Sequence, residues 1–133
     1  MSAPTELLRQ VPLFQSLTRD QLETLSRSFR DRTFSAGSAV TTEGQGGVGF
    51  FVIESGSATV TVHGEQRRTL GAGDYFGEMA LIDDQPRSAT ITADTDLRCW
   101  GLTPWEFRPL VESNAAIAWS MLQTLAKRLR EQQ

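Results

Sequence analysis

Short β-prone segments, each ending at a glycine, fill the middle of the chain. SAVTTEG, FFVIESG, SATVTVHG and RTLGAG are rich in Val, Thr, Ile and Phe. The glycines at their corners are Gly37, Gly44, Gly56, Gly64 and Gly73. Strands of this length with glycine turns between them are typical of a β-sandwich or a barrel-like roll. HGE is a predicted hairpin turn, and residues 89–102 are predicted to form a closing pair of strands with a turn near Ala93 and Asp94.

The N-terminal region is predicted to be helical. One short helix covers about 4–10 and ends before Pro12, because proline disrupts a helix interior. A second covers about 18–28, where Thr18 and Gln21 have the spacing of a capping box. Helices therefore precede the β-rich region.

The chain returns to helix after the β-rich region. Thr103, Pro104 and Glu106 combine an N-cap, a proline at the first helical position and a box-closing glutamate. From about 114 to 130, apolar residues recur at spacings of three and four, which predicts a second, amphipathic helix. The residues of that stripe are Ile117, Met121, Leu122, Leu125 and Leu129.

These patterns predict one mainly β domain with flanking helices, spanning residues 1–133. The expected core is a double-stranded β-helix, a jelly-roll-like β-roll, at about 29–103, with N-terminal helices at about 4–28 and C-terminal helices at about 104–131. A chain of 133 residues with a hydrophobic share of 39% can bury one core of this kind.

The composition excludes several classes of function. The formal net charge is −3 and the basic residues are scattered, which argues against a nucleic-acid-binding surface. No apolar run approaches the length of a membrane span and the N-terminus does not resemble a signal peptide, so we expect a soluble, cytoplasmic protein. Cys99 and His63 are each the single residue of their type, so metal catalysis and a Cys–His nucleophile pair are not expected.

Several conspicuous side chains have ordinary structural interpretations. Cys99 lies on a predicted strand and is expected in the core. Trp105, Phe107 and Trp119 lie on predicted helices, where burial is the first expectation. Three basic residues are interpreted as the solvated, dipole-complementing end of the last helix: Lys127, Arg128 and Arg130.

The densest polar chemistry lies in GDYFGEMALIDDQPRSAT, residues 73–90. Gly77 lets the backbone approach a ligand closely, and residues 78–81 are good helix formers, so one helical turn here would direct its first N–H groups toward an anion. Arg87 offers a planar fork of donors that suits phosphate oxygens, and Ser88 adds a hydroxyl. One arginine with a few N–H groups matches a single negative charge, as in a phosphodiester.

Glu78 needs a different partner. An ionised carboxylate only accepts hydrogen bonds, so Glu78 is expected to bind a hydroxyl that adjoins the phosphate. An arginine for a monoanion and a carboxylate for a neighbouring sugar hydroxyl describe a ribose cyclic phosphate.

The same stretch closely resembles the phosphate-binding cassette of cyclic-nucleotide-binding domains, in particular the catabolite-activator-like sensor domains. The resemblance rests on FGE, a small apolar turn and PRSAT. It extends to the corner glycines Gly37, Gly44 and Gly56, the FFVIESG strand and the flanking helices.

The resemblance implies a role for individual residues. Gly77 and Ala80 would offer backbone N–H groups, Glu78 would hold the ribose 2′-hydroxyl, and Arg87 would pair with the cyclic phosphate. Ser88 would support the phosphate or the base. The rest of the expected ligand-binding set comprises Met79 and Ala89 in the cassette and Val60 and Leu70, which would form the floor under the base.

A serine occurs at the position of Ser88 in the bacterial catabolite-activator-like members of that family, whereas a threonine there is associated with cGMP preference. The resemblance therefore implies cAMP in preference to cGMP, although Arg68, near the expected floor, leaves the choice of base open. It also implies that ligand binding draws the terminal helix toward the cassette. Up to Gln133 the sequence contains no DNA-reading segment, so we expect a stand-alone sensor domain. Its expected partner is an unknown effector protein, and weak homodimerisation stays open.

Two other functions are weighed against this one. The fold could be retained as a ligand-free protein-interaction module, with its arginine paired internally. An enzyme acting on the phosphodiester would need metal ligands or a general acid–base pair, which a single histidine does not supply. Binding without turnover, and without cofactor or metal, is the expectation.

Overall fold

A computed structural model describes residues 2–42, 44, 49–83 and 89–132. Short helices open the fold: α1 (Thr5–Arg9), a 3₁₀ turn (Pro12–Phe14) and α2 (Arg19–Ser26). Within the described residues, eight strands follow: β1 (Arg30–Phe34), β2 (Ala39–Thr41), β3 (Phe50–Ser55), β4 (Ala58–Val62), β5 (Glu65–Leu70), β6 (Tyr75–Phe76), β7 (Thr90–Ala93) and β8 (Leu97–Leu102). A second 3₁₀ turn (Glu78–Leu81) separates β6 from β7, and α3 (Pro104–Ser113) and α4 (Ala115–Glu131) follow the strands.

The strands form two four-stranded antiparallel sheets in the order β1-β8-β3-β6 and β2-β7-β4-β5. Strands adjacent in the chain fall into different sheets, apart from the hairpin β4–β5. This winding confirms the predicted jelly-roll-like β-roll with flanking helices. The hairpin turns through His63 and Gly64, both with positive φ, as the HGE sequence predicts.

Strand β3 is buried on both faces. Phe50 and Val52 face the helices, while Phe51 and Ile53 face the second sheet, so alternate residues serve two separate core clusters. Below the helices, the rings of Phe14 and Phe50 meet edge to face with centroids 5.8 Å apart. The helices therefore close one side of the roll and the second sheet closes the other.

Helix ends follow the sequence signals. Thr18 and Gln21 form a capping box at the start of α2, and Thr103 and Glu106 form another at the start of α3. The observed helix bounds lie within two residues of the predicted ones. One detail differs: Pro12 begins a 3₁₀ turn after α1, because its fixed φ suits the first position of a helical turn.

Two tryptophans contradict the expected burial. Phe107 is 4% exposed as predicted, but Trp105 is 66% and Trp119 is 63% exposed. Each tryptophan lies two residues from a buried position, Phe107 on α3 and Ile117 on α4, and two residues turn a helix by about 200°. Both rings therefore lie on the outward face of their helix.

Cys99 lies in the core as expected. Its side chain is fully buried between the sheets, and burial raises the pKa of its thiol to about 12. The thiol therefore stays protonated at neutral pH and behaves as a small apolar group. Among the helices of the described residues, none is long and apolar enough to cross a membrane.

The corner at Gly56 provides a test of the fold. Its φ is +98°, and a Cβ there would overlap the backbone oxygen of Asp96 and lie 3.1 Å from the Cα of Leu97. Gly37 has a similar φ of +90°, but a Cβ there meets none of the described atoms within 4 Å. We expect Gly37→Ala to lower the free energy of unfolding by about 1–2 kcal/mol, from backbone strain alone. Gly56→Ala should cost about 3 kcal/mol or more, because the clash adds to the strain.

Urea denaturation of the two variants measures this difference. Equal losses of stability would contradict the close packing of the β3–β4 corner against β8.

Candidate functional site

The cassette begins where β6 pairs with the middle of β3. Phe76 lies opposite Phe51 and Tyr75 opposite Val52, which fixes the end of β6 against the doubly buried strand. Gly77 then turns the chain with a φ of +85° into the 3₁₀ turn. The single helical turn predicted at 78–81 is confirmed.

The 3₁₀ turn is anchored from below by Leu81. Its side chain is 5% exposed and belongs to the core cluster beneath the helices, together with Met121 of α4. The turn therefore lies at the boundary between the β-roll and the C-terminal helices. A shift of the β-roll relative to the C-terminal helices would therefore change the packing of Leu81 and the position of the turn.

A cavity of about 570 Å³ opens between the β4–β5 hairpin, the cassette and α4. Its apolar floor includes Val60, Leu70 and Ile91, all buried. Its polar side includes Glu78 from the 3₁₀ turn and Arg128 from α4. A cavity with an apolar floor and a few convergent polar groups is the usual form of a small-molecule site.

Five residues of the expected ligand-binding set line this one cavity: Val60, Leu70, Gly77, Glu78 and Ala89. They come from four separate segments of the chain. Met79 and Ala80 belong to the 3₁₀ turn, as expected. Arg87 and Ser88 lie outside the described residues, so their expected contacts stay predictions.

Glu78 is paired with Arg128 across the cavity. Oε1 of Glu78 lies 3.6 Å from Nη2 of Arg128, and the two side chains are 14% and 33% exposed. The separation is that of an ion pair and exceeds a good hydrogen bond. The second carboxylate oxygen, Oε2 of Glu78, and the second terminal nitrogen, Nη1 of Arg128, are buried and have no hydrogen-bond partner among the described residues.

Burial raises the pKa of the Glu78 carboxyl above its ordinary value of 4.5, and the charge of Arg128 offsets part of that rise. Burial also raises the pKa of the neighbouring Tyr75 hydroxyl, and the negative charge of Glu78 raises it further. The Glu78 carboxylate is therefore partly removed from water, and a hydrogen bond to it is stronger there than in bulk water.

Arg128 was not predicted as a site residue, and its interpretation as part of a solvated helix end is wrong. The sequence nevertheless contained a signal. Arg128 follows Met121 by seven residues and Thr124 by four, and both of these are buried. Arg128 therefore continues the inward stripe of α4, whereas Lys127 and Arg130 are exposed as expected.

Two further arginines reach the cavity from β5. Arg67 and Arg68 line it beside Asp74, whose Oδ2 accepts a hydrogen bond of 2.8 Å from the backbone N–H of Gly71. Arg67 also pairs with Glu65 at 3.7 Å. Three arginines and two carboxylates are among the described lining residues, so the lining is slightly cationic and suits a ligand of low negative charge.

The described residues include no group of three or more His, Cys, Asp or Glu side chains that could hold a metal ion.

A second cavity, of about 460 Å³, lies between the 3₁₀ turn, α3 and α4. Its lining is mostly apolar and includes Leu81, Val111 and Leu125. It touches the back of the cassette turn, and its described lining residues include none of the expected ligand-binding set.

Comparison with known proteins identifies relatives of this architecture. Residues 31–114 match the sequence profile described as "Cyclic nucleotide-binding domain". The chain is 43% identical to a cAMP-dependent protein kinase regulatory subunit of Yarrowia lipolytica, over 68% of this chain and 25% of that protein. It is 31% identical to a cGMP-dependent protein kinase of Plasmodium berghei, over 95% of this chain and 14% of that protein. The chain thus spans a quarter or less of these two curated relatives.

A solved structure agrees over nearly the whole chain. The N-terminal domain of a transcriptional regulator from Streptomyces coelicolor A3(2) superposes with a TM-score of 0.89 at 27% identity. The match covers 95% of this chain and 94% of that one. The β-roll and its flanking helices are therefore a recurring architecture.

The raised pKa of Glu78 predicts a pH dependence of stability. The folded protein holds the Glu78 proton more tightly than the unfolded chain, so this group's contribution is fully present below pH 4.5. The contribution is lost as the pH rises through the higher pKa of the folded state. Relative to Glu78→Gln, the wild-type free energy of unfolding should therefore fall as the pH increases from 4.5 and then level off.

Chemical denaturation at a series of pH values measures this difference in the free energy of unfolding. Glu23→Gln on α2, where the carboxylate is 43% exposed and pairs with Arg19, corrects for the loss of a paired charge at the surface. If the difference in the free energy of unfolding between wild type and Glu78→Gln stays constant from pH 4.5 to neutrality, the Glu78 carboxylate is not desolvated in the folded protein.

Proposed function

The chain belongs to the cyclic nucleotide-binding domain family, and from that membership we propose that it is a cytoplasmic sensor domain that binds a cyclic mononucleotide, with cAMP favoured over cGMP. The observation that carries the proposal is the cavity itself. Its apolar floor, its glycine turn and the Glu78 carboxylate come from four segments of the chain, yet they face one another across a space of nucleotide size.

Each part of the ligand has a proposed partner. The base lies on Val60 and Leu70, and the ribose 2′-hydroxyl donates to Glu78. The cyclic phosphate pairs with Arg87, and Ser88 and the backbone N–H groups of Gly77 and Ala80 donate further hydrogen bonds to it. Met79 and Ala89 contact the ligand from either side of these residues. The slightly cationic lining supports a ligand with one negative charge.

The choice of base rests on two residues that favour different answers. Ser88 favours cAMP by resemblance to the bacterial members of the family. Arg68 lines the cavity from β5, and an arginine fork suits the O6 and N7 acceptors of guanine better than the edge of adenine. We keep cAMP as the proposal because Arg68 is exposed, so its side chain is not held in one orientation toward the base.

The proposed signal is a movement of α4. Arg128 connects this helix to Glu78, the proposed ribose-binding residue, so ligand in the cavity alters a contact that α4 makes. A ligand can shift a helix only if it binds one position better than the other, and the Glu78–Arg128 contact supplies such a difference. The proposed recipient is an effector protein, and the ligand is bound without turnover, as the regulatory nature of the family suggests.

A second candidate is a protein-interaction module that binds no nucleotide. Two observations favour it. Glu78 already has a cationic partner in Arg128. Large apolar side chains are exposed on the C-terminal helices, namely Trp105, Trp119, Leu122 and Leu129. The two candidates differ in whether a cyclic nucleotide stabilises the protein.

Thermal unfolding with and without nucleotide separates the candidates. At 100 times its dissociation constant, cAMP should add about 2.7 kcal/mol to the free energy of unfolding, because it binds only the folded state. We expect a smaller rise in Tm with cGMP and none with AMP at the same concentration, since AMP lacks the cyclic monoanionic ester. Nucleotide recovered after incubation should be unchanged cAMP.

No shift with either cyclic nucleotide would support the interaction module, and recovery of 5′-AMP would indicate an enzyme. A larger rise in Tm with cGMP than with cAMP would indicate that the protein prefers guanine and that Arg68 contacts the base.

Substitution of the proposed phosphate and ribose partners tests the cassette directly. Arg87→Leu should weaken cAMP binding about 100-fold or more, because it removes the charge opposite the phosphate. Glu78→Ala should weaken it about tenfold through the lost ribose contact. Arg19→Leu on α2, where the side chain is 85% exposed, is the control for loss of an arginine and should bind normally. Titration calorimetry measures all three, and unchanged affinity in Arg87→Leu would contradict the assigned phosphate site.

A further inference from the structure

We infer that Thr41 of β2 is a positioning residue of the nucleotide site. Its hydroxyl holds the carbonyl group of Ala89 and thereby fixes the point at which the cassette rejoins the β-roll. The inference rests on the proposed function, since it gives Thr41 a part in holding the phosphate end of a cyclic nucleotide. Thr41 does not belong to the ligand-binding set expected from the sequence.

A bulge in β2 brings Thr41 to the cavity. Ala39 lies opposite Thr92 of β7, so a regular antiparallel ladder would place Thr41 opposite Thr90, on the outward face that Ala39 shares. The register instead shifts by one residue, and Thr41 lies opposite the buried Ile91. A shift of one residue moves a side chain to the other face of the sheet. Thr41 is therefore 8% exposed and lines the cavity.

The re-aimed side chain carries a hydroxyl into an otherwise apolar row. Thr41, Ile91 and Val60 lie side by side across β2, β7 and β4, and all three line the cavity. A buried hydroxyl lowers stability unless it is hydrogen-bonded. Oγ1 of Thr41 meets this requirement by donating to the carbonyl oxygen of Ala89 at 3.2 Å. A valine of nearly the same shape could not make this bond.

The bond acts where the cassette ends. Ala89 lines the cavity, immediately precedes β7 and follows Ser88 in the chain. Among the described residues, backbone pairing between β2 and β7 ends at Thr41 and Ile91, and the side-chain bond extends the attachment by two residues toward the cassette. The proposed phosphate partners, Arg87 and Ser88, come directly before Ala89, so the phosphate end of the site is the end that Thr41 fixes. A group held in place before binding needs less ordering when the ligand arrives.

Three variants isolate the hydroxyl. Thr41→Val removes it and keeps the shape of the side chain, and valine is well suited to a strand, so the variant is expected to fold. Thr41→Ser keeps the hydroxyl and removes the methyl group. Thr59→Val is the matched control on β4 of the same sheet. The Thr59 hydroxyl donates to the Asp94 carboxylate at 2.7 Å, and Thr59 is not among the described residues that line the cavity.

Titration calorimetry with cAMP, at a temperature where all four proteins are folded, measures the effect on binding. Thr41→Val should bind cAMP about tenfold more weakly, because the bond is lost and the Ala89 carbonyl loses its donor. Thr41→Ser and Thr59→Val should each bind within about twofold of the wild type, since both keep the bond to Ala89.

A second readout locates the effect at the phosphate. The two diastereomers of adenosine 3′,5′-cyclic phosphorothioate carry sulfur in place of one or the other exocyclic phosphate oxygen. Sulfur is larger than oxygen and a weaker acceptor, so a fixed phosphate end should prefer one diastereomer. Thr41→Val should reduce this preference about threefold and leave the ratio of cAMP to cGMP affinity unchanged, because the proposed base lies on Val60 and Leu70. A general loss of stability would not change one ratio and spare the other.

The outcomes separate this inference from the function on which it rests. A wild type that binds neither cyclic nucleotide overturns both. If the wild type binds cAMP, equal affinity in Thr41→Val, or a loss in Thr41→Ser as large as in Thr41→Val, overturns the role of the hydroxyl and leaves the sensor function intact. The role at the phosphate is overturned if the wild type does not distinguish the diastereomers or if Thr41→Val distinguishes them equally well. A changed ratio of cAMP to cGMP affinity in Thr41→Val would place Thr41 at the base and would also contradict the inference.

Discussion

Burial of strand β3 on both faces is the constraint on which the remaining structure depends. Phe50 and Val52 require a cover of helices, and Phe51 and Ile53 require the second sheet, so neither layer is optional. The cassette inherits its position from this strand, because β6 pairs with it immediately before Gly77. The polar site is thereby attached to a strand that is packed on both faces, which holds a binding group in place before a ligand arrives.

The pair between Glu78 and Arg128 joins the cassette to the last helix. Taken as an exposed ion pair it would contribute little to stability. Here both side chains are largely removed from water, and each retains a buried polar atom that the pair does not satisfy. Such an arrangement is poor as a structural link, because it leaves two buried polar atoms without a hydrogen-bond partner in the described part of the chain.

Much of the fold followed from local signals. The capping boxes at Thr18 and Thr103 and the hairpin at His63–Gly64 involve residues within four positions of one another, so the sequence alone carries their geometry. Burial on helices was less predictable. The outward position of Trp105 depends on which side of α3 faces the core, and a short amphipathic pattern containing several large apolar residues does not fix that side.

The sequence by itself determined the β-roll, its flanking helices and a cassette built around Gly77 and Glu78, because each depends on spacing along the chain and on the chemistry of adjacent residues. Only the tertiary structure decided that Arg128, 50 positions beyond Glu78, shares its cavity. Contact between residues so far apart depends on how α4 packs on the 3₁₀ turn through Leu81 and Met121. No local pattern encodes that packing, since it is the sum of many weak contacts between distant segments.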